Sequence, residues 1–213
     1  MNFLAHCALA HDAALTWEVD AANRQGLLAG AFVGDFVKGP IPADWPRSLQ
    51  AGARLHRRVD ALSNVNPGIR HNCNRFPDHL RRFAPIFVDV LADHCLTRAW
   101  HDHYHHDLSD FAAECYQAIA AYDEHLPEHG RRFFGYMCDE DLLASYDDWR
   151  NVARGLHSVL RRLRREDWFE EVEQVSRAMR DAASADFQSY YPDLRGAWQD
   201  WDAYAAIAAP RSS

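Results

Sequence analysis

A chain of 213 residues is long enough for one domain with a substantial core and too short for two full ones. With 48% apolar and 25% charged residues it falls outside the disordered class, and 10 Gly with 9 Pro favour long helices over many short strands and turns. A formal net charge of −8 disfavours a sequence-independent grip on nucleic acid unless the basic residues cluster.

The opening, Met1-Asn2-Phe3-Leu4-Ala5-His6, has neither a basic n-region nor an apolar run of signal-peptide length. No stretch approaches the roughly 18 uninterrupted apolar residues that a membrane helix needs. Cys7, Cys73, Cys95, Cys115 and Cys138 are scattered, odd in number and free of any Cys-x-x-Cys pair, which argues against a disulfide framework and a structural zinc site. The expectation is a reduced, cytoplasmic protein.

Helical periodicity runs through nearly every segment between turn signals. It predicts helices from Asn2 to about Ala14, Gln25 to Val37 and Arg47 to Asn64, with a loop around Thr16–Asn23. The stretch from Pro40 to Pro46, with three prolines, cannot be helical throughout. Asn66-Pro67-Gly68 ends the third helix and Ile69–His79 follows. A long helix is expected from about Leu80 to Tyr104, with Pro85 either starting its regular part or kinking it. Leu108–His125, Gly130–Cys138, Leu142–Arg164, Asp167–Tyr190 and Leu194–Ala206 complete the set. There is no alternating strand pattern and no repeat. The expected architecture is a single all-α domain over residues 1–207, of about eight to ten helices, followed by a short tail at 208–213.

The informative feature is a set of ionisable residues on apolar helix faces. Helical spacing puts Ile86, Asp89, Val90 and Asp93 on one face, with both carboxylates one turn apart. Two like charges on a buried face repel, and desolvation costs several kcal/mol for each unless it is compensated, for which a divalent cation is one natural means. His56 and Asp60 also sit at i and i+4, a spacing that lets both reach one ligand. Asp35 interrupts the apolar run Ala31-Phe32-Val33-Gly34 near a helix end, and His6 lies inside the apolar opening helix. Each cluster has a plain structural alternative. His6 could be a hydrogen-bonded core residue, His56 and Asp60 a surface pair worth about 0.3–0.5 kcal/mol, Asp35 a helix cap, and Asp89 and Asp93 partners of Arg57, Arg58, Arg81 or Arg82.

Taken in order and spacing, the motifs Met1-Asn2-Phe3-Leu4-Ala5-His6, the run Leu27–Gly39 with its Gly34-Asp35-Phe36-Val37 centre, His56-Arg57-Arg58-Val59-Asp60 and Val88-Asp89-Val90-Leu91-Ala92-Asp93-His94 resemble the acyl carrier protein phosphodiesterase family. Tyr190-Tyr191-Pro192 after Asp186-Phe187 is similar to that family's closing helix, so the resemblance covers about residues 1–195. It implies an all-helical fold related to HD-type metal phosphohydrolases, a manganese preference, and hydrolysis of holo acyl carrier protein to apo protein and 4'-phosphopantetheine. By position it implies His6, Asp35, His56, Asp60, Asp89 and Asp93 as metal-site residues, with His94 as an adjacent ligand or proton donor. Where the family tends to read Thr-Asp after the third motif, this chain has Ser63-Asn64, which offers a neutral oxygen instead of a carboxylate.

A donor set of carboxylates and imidazoles without thiolate suits Mn²⁺, Fe²⁺ or Mg²⁺ and tolerates Zn²⁺. The expected chemistry is attack of an activated water on phosphorus, with Asp35 in the central role and Arg57, Arg58 or Lys38 balancing phosphate charge. Because carrier protein and enzyme are both acidic, docking calls for a local basic patch, for which Arg81, Arg82, Arg161, Arg162, Arg164 and Arg165 are candidates. The tract His101–His106 reads as a hydrated helix end, and Gly-x-Ser-x-Gly and Gly-rich phosphate loops are absent. Two rivals remain at this level: an HD-like phosphohydrolase for nucleotides or other small phosphoesters, and a non-enzymatic helical binding protein whose buried acids pair with arginines.

Overall fold

A computed structural model describes residues 1–196 and residue 198. Among these the chain forms twelve α-helices and two single 3₁₀ turns, with no strand. The architecture is all-α, as its periodicity predicts. No helix among the described residues is long and apolar enough to cross a membrane.

Helix α1 (Phe3–Thr16) runs through the middle of the molecule, and every side chain from Leu4 to Ala14 is buried. It is apolar on all sides, as a helix enclosed by others must be. Helices α2 (Ala21–Val33) and α3 (Arg47–Val65) lie against it and against each other. Their crossing is so close that a Cβ on Gly30 would fall 2.3 Å from the Leu49 carbonyl oxygen and 2.7 Å from the Gly52 Cα. Only glycines allow the two backbones to meet there.

Helices α4 (Pro67–Asn74), α5 (Asp78–Arg81) and α6 (Ala84–Arg98) follow, and α6 packs on α1. Asn66 closes α3 and opens α4, its side chain accepting from the Gly68 and Ile69 amides at 2.9 and 3.3 Å. The remaining helices are α7 (Trp100–His103), α8 (Leu108–Ala120), α9 (Glu128–Asp139), α10 (Trp149–Leu163), α11 (Phe169–Ala178) and α12 (Arg180–Leu194). α12 returns to α4 and α6, and its end is tied to α1. There Arg195 donates to Asp12 at 2.6 Å, and the hydroxyl of Tyr104 bridges Asp12 and Tyr191 at 3.0 and 2.8 Å.

Three long helices expected from periodicity are broken. The segment from Leu80 to Tyr104 becomes three helices. Pro85 lies in the first turn of α6, where its missing amide costs nothing, and Ala99 leaves helical geometry at φ −103°, ψ 17°. The first seven residues of the segment from Leu142 are turns, because α10 is capped only at Asp148, whose carboxylate accepts from the Arg150 amide. Met179 separates α11 from α12 within the expected Asp167–Tyr190 helix. α2 starts four residues earlier than its apolar pattern because Asp20 caps it through the Asn23 amide at 2.8 Å. Of the histidine tract, His103 and His106 pack on Tyr191 and Trp100 rings instead of facing water. The tail at 208–213, and nearly all of the expected Leu194–Ala206 helix, lie outside the described residues.

Asp93 sits at the α1–α6 junction, fully buried, and accepts from the Leu4 and Ala5 amides at 2.9 and 3.0 Å. Its carboxylate satisfies two of the donors that every helix N-terminus leaves open. Replacing it with Ala orphans both, at about 1–3 kcal/mol each, so the thermal unfolding midpoint is expected to drop by roughly 4–24 °C. Burial raises this carboxyl to about 7. A raised acid contributes stability that is complete below the ordinary carboxylate range and is lost as pH climbs through 7. The stability gap between wild type and Asp93→Asn should therefore shrink from pH 4 to pH 7.5 in denaturant titrations; a gap that widens would contradict this protonation behaviour.

Candidate functional site

The N-terminal half of α1 and the middle of α3 bring three donors together. His6 Nε2 lies 3.1 Å from Asp60 Oδ1, and His56 Nε2 lies 3.3 Å from Asp60 Oδ2. Their nearest donor atoms all fall within 4.8 Å of one another. The two imidazoles stack, with ring centroids 3.8 Å apart and planes 21° from parallel. Both rings are buried, whereas the Asp60 side chain keeps 44% exposure and so opens the group to solvent.

Local structure fixes each ring. The His56 Nδ1 donates to the Ala31 carbonyl of α2 at 2.8 Å, which assigns the proton to that nitrogen and turns Nε2 toward Asp60. A neutral imidazole then faces a carboxylate oxygen with a lone pair, so the contact requires a positive charge between them, a proton or a metal ion. Gly34 makes this placement possible, since a Cβ there would sit 2.6 Å from the His56 ring. The glycine of the Gly-Asp motif thus serves the histidine, while the aspartate serves the cleft. His6 Nδ1 is buried without a hydrogen-bond partner. Burial and the neighbouring His56 ring lower the His6 pKa to about 3, which leaves it neutral. Burial works to raise Asp60, but its close contacts with the His56 and His6 rings hold it far below the ordinary carboxylate range.

The other acids divide. Asp89 projects from α6 into the same cleft, where the Met1 amino group is 2.7 Å from it and 3.7 Å from Asp60. Burial raises Asp89 against the pull of that amine. Asp35 follows α2 in a turn, is exposed, lines the cleft and adds negative potential at Asp89. Among the described residues neither Asp89 nor Asp93 pairs with an arginine, so that alternative is not realised there. Asp93 holds the start of α1 and is not among the three convergent donors. His94 lies one turn beyond Val90 on α6: its Nδ1 donates to the Tyr146 carbonyl at 2.6 Å, its ring meets Trp149 edge-on, and it does not line the cleft. Arg57 donates to the Val37 carbonyl at 2.9 Å and so steadies the loop carrying Asp35, while Lys38 is exposed and outside the cleft lining.

The cleft encloses about 560 Å³. His6, His56, Asp60, Asp35 and Asp89 cluster at one region, and Ile86, Val90, Leu142, Tyr146 and Val159 supply apolar wall. Ser63 and Asn64 also border it, which puts the departure from the family's Thr-Asp at the site itself. Its far wall comes from α9 and α10, with Phe133, Tyr136, Arg154, Arg161 and Arg162. Sequence reading singles out the Arg161 and Arg162 positions but not Phe133, Tyr136 or Arg154 as site residues; nothing in the local pattern distinguishes them from any other amphipathic helix face. Three of the other candidate arginines are engaged elsewhere. Arg165 lies 3.4 Å over the Trp168 ring and pairs with Asp167, Arg81 pairs with Asp78, and Arg82 lies over Phe83.

The donor set fits a catalytic divalent cation. Two imidazole nitrogens and one carboxylate oxygen converge with open space beside them, the pattern of three protein ligands with positions left for water or substrate. A base whose folded pKa is depressed stays neutral through mildly acidic pH, and the fold loses stability only as pH falls from about 6.5 toward 3. The His6 ring signals in ¹H–¹⁵N spectra should accordingly show no titration between pH 8 and pH 5. A midpoint near 6.5 would mean that the ring is solvated and the stacked pair is not formed.

The family model described as acyl carrier protein phosphodiesterase matches residues 1–194. The acyl carrier protein phosphodiesterase of Escherichia coli O6:H1 (strain CFT073) is 31% identical over 201 residues, covering 91% of this chain and 95% of its own length. That of Escherichia coli O139:H28 (strain E24377A) is 32% identical over 203 residues with the same coverage. No solved structure matches the chain significantly. The chain belongs to the acyl carrier protein phosphodiesterase family.

Proposed function

We propose that this protein hydrolyses the phosphodiester linking 4'-phosphopantetheine to serine of holo acyl carrier protein, and that it does so with a divalent cation, manganese in the first instance, held by His6, His56 and Asp60. The observation that carries the reading is the convergence of those three side chains at a cleft, in a chain whose whole length resembles enzymes named for this reaction. When bound, the cation supplies Lewis acidity toward a phosphoryl oxygen and acidifies neighbouring water.

The chain's own residues account for the rest. Asp60 holds both imidazoles at 3.1 and 3.3 Å and stays ionised, so its oxygens are ready to ligate without first losing a proton. Asp35 and Asp89 stand within the same cleft, where an exposed carboxylate such as Asp35 can accept a proton from water or hold a further ligand position. Arg161 and Arg162, exposed on the opposite wall, offer charge to the phosphate. The volume falls within the roughly 300–1,000 Å³ range of small-ligand sites, and the apolar wall suits a flexible arm better than a bare phosphate. Asp93 and His94 serve the scaffold in this reading: one opens α1, the other braces α6 against the turn before α10.

Incubation of the purified, untagged protein with holo carrier protein and Mn²⁺ should yield apo carrier protein by intact-mass spectrometry, and a chelator should stop it. Asp60→Ala and Asp35→Ala are each expected to lower kcat/KM by at least about a hundredfold, the scale of losing one strong transition-state contact, with the helical circular dichroism spectrum kept. Full activity in Asp60→Ala, or turnover indifferent to chelation, would remove the cation from the reaction.

A further inference from the structure

Outside the cleft, a second and more open depression of about 760 Å³ lies between α9 and α10. Its floor is apolar, from Phe133, Tyr136, Ala153 and Phe169, and Tyr136 is one of only three large hydrophobic side chains exposed among the described residues. Its borders are cationic. Arg132 stands on α9, and Arg150, Arg154 and Arg161 stand on α10 at i, i+4 and i+11, with His157 between them at i+7. This edge runs along three helical turns, or roughly 16 Å. Such a concentration of arginine stands out in a chain of net charge −8. Arg132, Arg150 and Arg154 lie near Glu128, Asp148 and Glu140, but those pairs are solvent-exposed and a partner's carboxylates can replace them. The Arg161 side chain has no hydrogen bond or ion pair among the described residues, and it is exposed.

The depression is continuous with the cleft. Phe133, Tyr136, Arg154, Ser158 and Arg161 line both. A macromolecule seated on α9 and α10 would therefore present a protruding arm directly across Tyr136 and Arg154 toward His6, His56 and Asp60. An apolar floor between cationic edges fits an amphipathic helix with an apolar stripe flanked by Asp and Glu.

We infer that the α9–α10 groove is the docking surface for an acidic amphipathic helix of the carrier protein, and that it hands the prosthetic arm into the neighbouring cleft. This rests on the functional reading above and adds the place where the protein part of the substrate is recognised. Arg81 and Arg82 lie at α5, do not line this groove and take no part in that recognition.

The test is steady-state kinetics on holo carrier protein with the full chain, comparing wild type, Arg132→Glu/Arg150→Glu and Arg81→Glu/Arg82→Glu. The groove pair is expected to raise KM at least tenfold with kcat within twofold, and added salt should raise the wild-type KM but leave the variant's almost unchanged. The α5 pair should keep the wild-type KM. If the charge-reversed groove variant does not fold by circular dichroism, Arg132→Gln/Arg150→Gln replaces it, with at least a threefold rise in KM expected. Wild-type turnover with an unchanged KM in the groove variants, or a rise only in the α5 pair, overturns the docking assignment and leaves the functional reading intact. Wild type that releases no arm from carrier protein overturns the functional reading and the docking assignment with it.

Discussion

The constraint on which the rest of this structure depends is the placement of one carboxylate between two stacked, buried imidazoles. Asp60 meets His6 and His56 at 3.1 and 3.3 Å, and the rings are 3.8 Å apart. Stacked imidazoles that close cannot readily both be protonated, and the half-exposed carboxylate beside them, with the Met1 amino group 3.7 Å away, draws positive charge to this end of the cleft. The arrangement is therefore built for a positive charge at its centre. Everything that positions the three side chains follows from that need: the glycine that admits the His56 ring, the Ala31 carbonyl that fixes its tautomer, and the Asp93 carboxylate that anchors the start of the helix carrying His6.

The same economy appears in the division of labour among the acids. Asp89 and Asp93 are neighbours on α6, yet they act differently because α1 packs its N-terminal backbone on one and leaves the other facing the cleft. A carboxylate beside a helix N-terminus is stabilised by the open amides and the helix dipole, so Asp93 needs no metal to justify its burial. Asp35, held on a turn by the Arg57 contact to Val37, remains exposed and available. Rigid donors on helices and an adaptable acid on a turn together make a site that is preorganised but accessible.

The cleft joins two functions that the chain builds from different regions. The His-Asp end comes from α1, α3, α6 and the turn after α2, while the opposing wall comes from α9 and α10. Membership in the acyl carrier protein phosphodiesterase family rests on the whole described length, not on the first hundred residues, where the sharpest motifs lie. In a chain of net charge −8, the second half is where the cationic edge beside the cleft is found.

How much of this the sequence determined can be traced residue by residue. Apolar periodicity fixed the all-helical class, because burying a helix face is what stabilises it, and the spacing of His56 and Asp60 placed both on one face of one helix. The ordered motifs named the family. Helix ends were less legible: Asp20, Asp148 and Met179 set them through caps and local geometry that periodicity does not encode. Which acids converge was decided only in three dimensions. His6 lies 54 residues from Asp60 and Asp93 lies 89 from Leu4, and a contact across such separations depends on how helices dock, which no local pattern specifies. The sequence thus supplied the chemical groups and their faces; the tertiary packing chose which of them converge at the cleft and which close a helix.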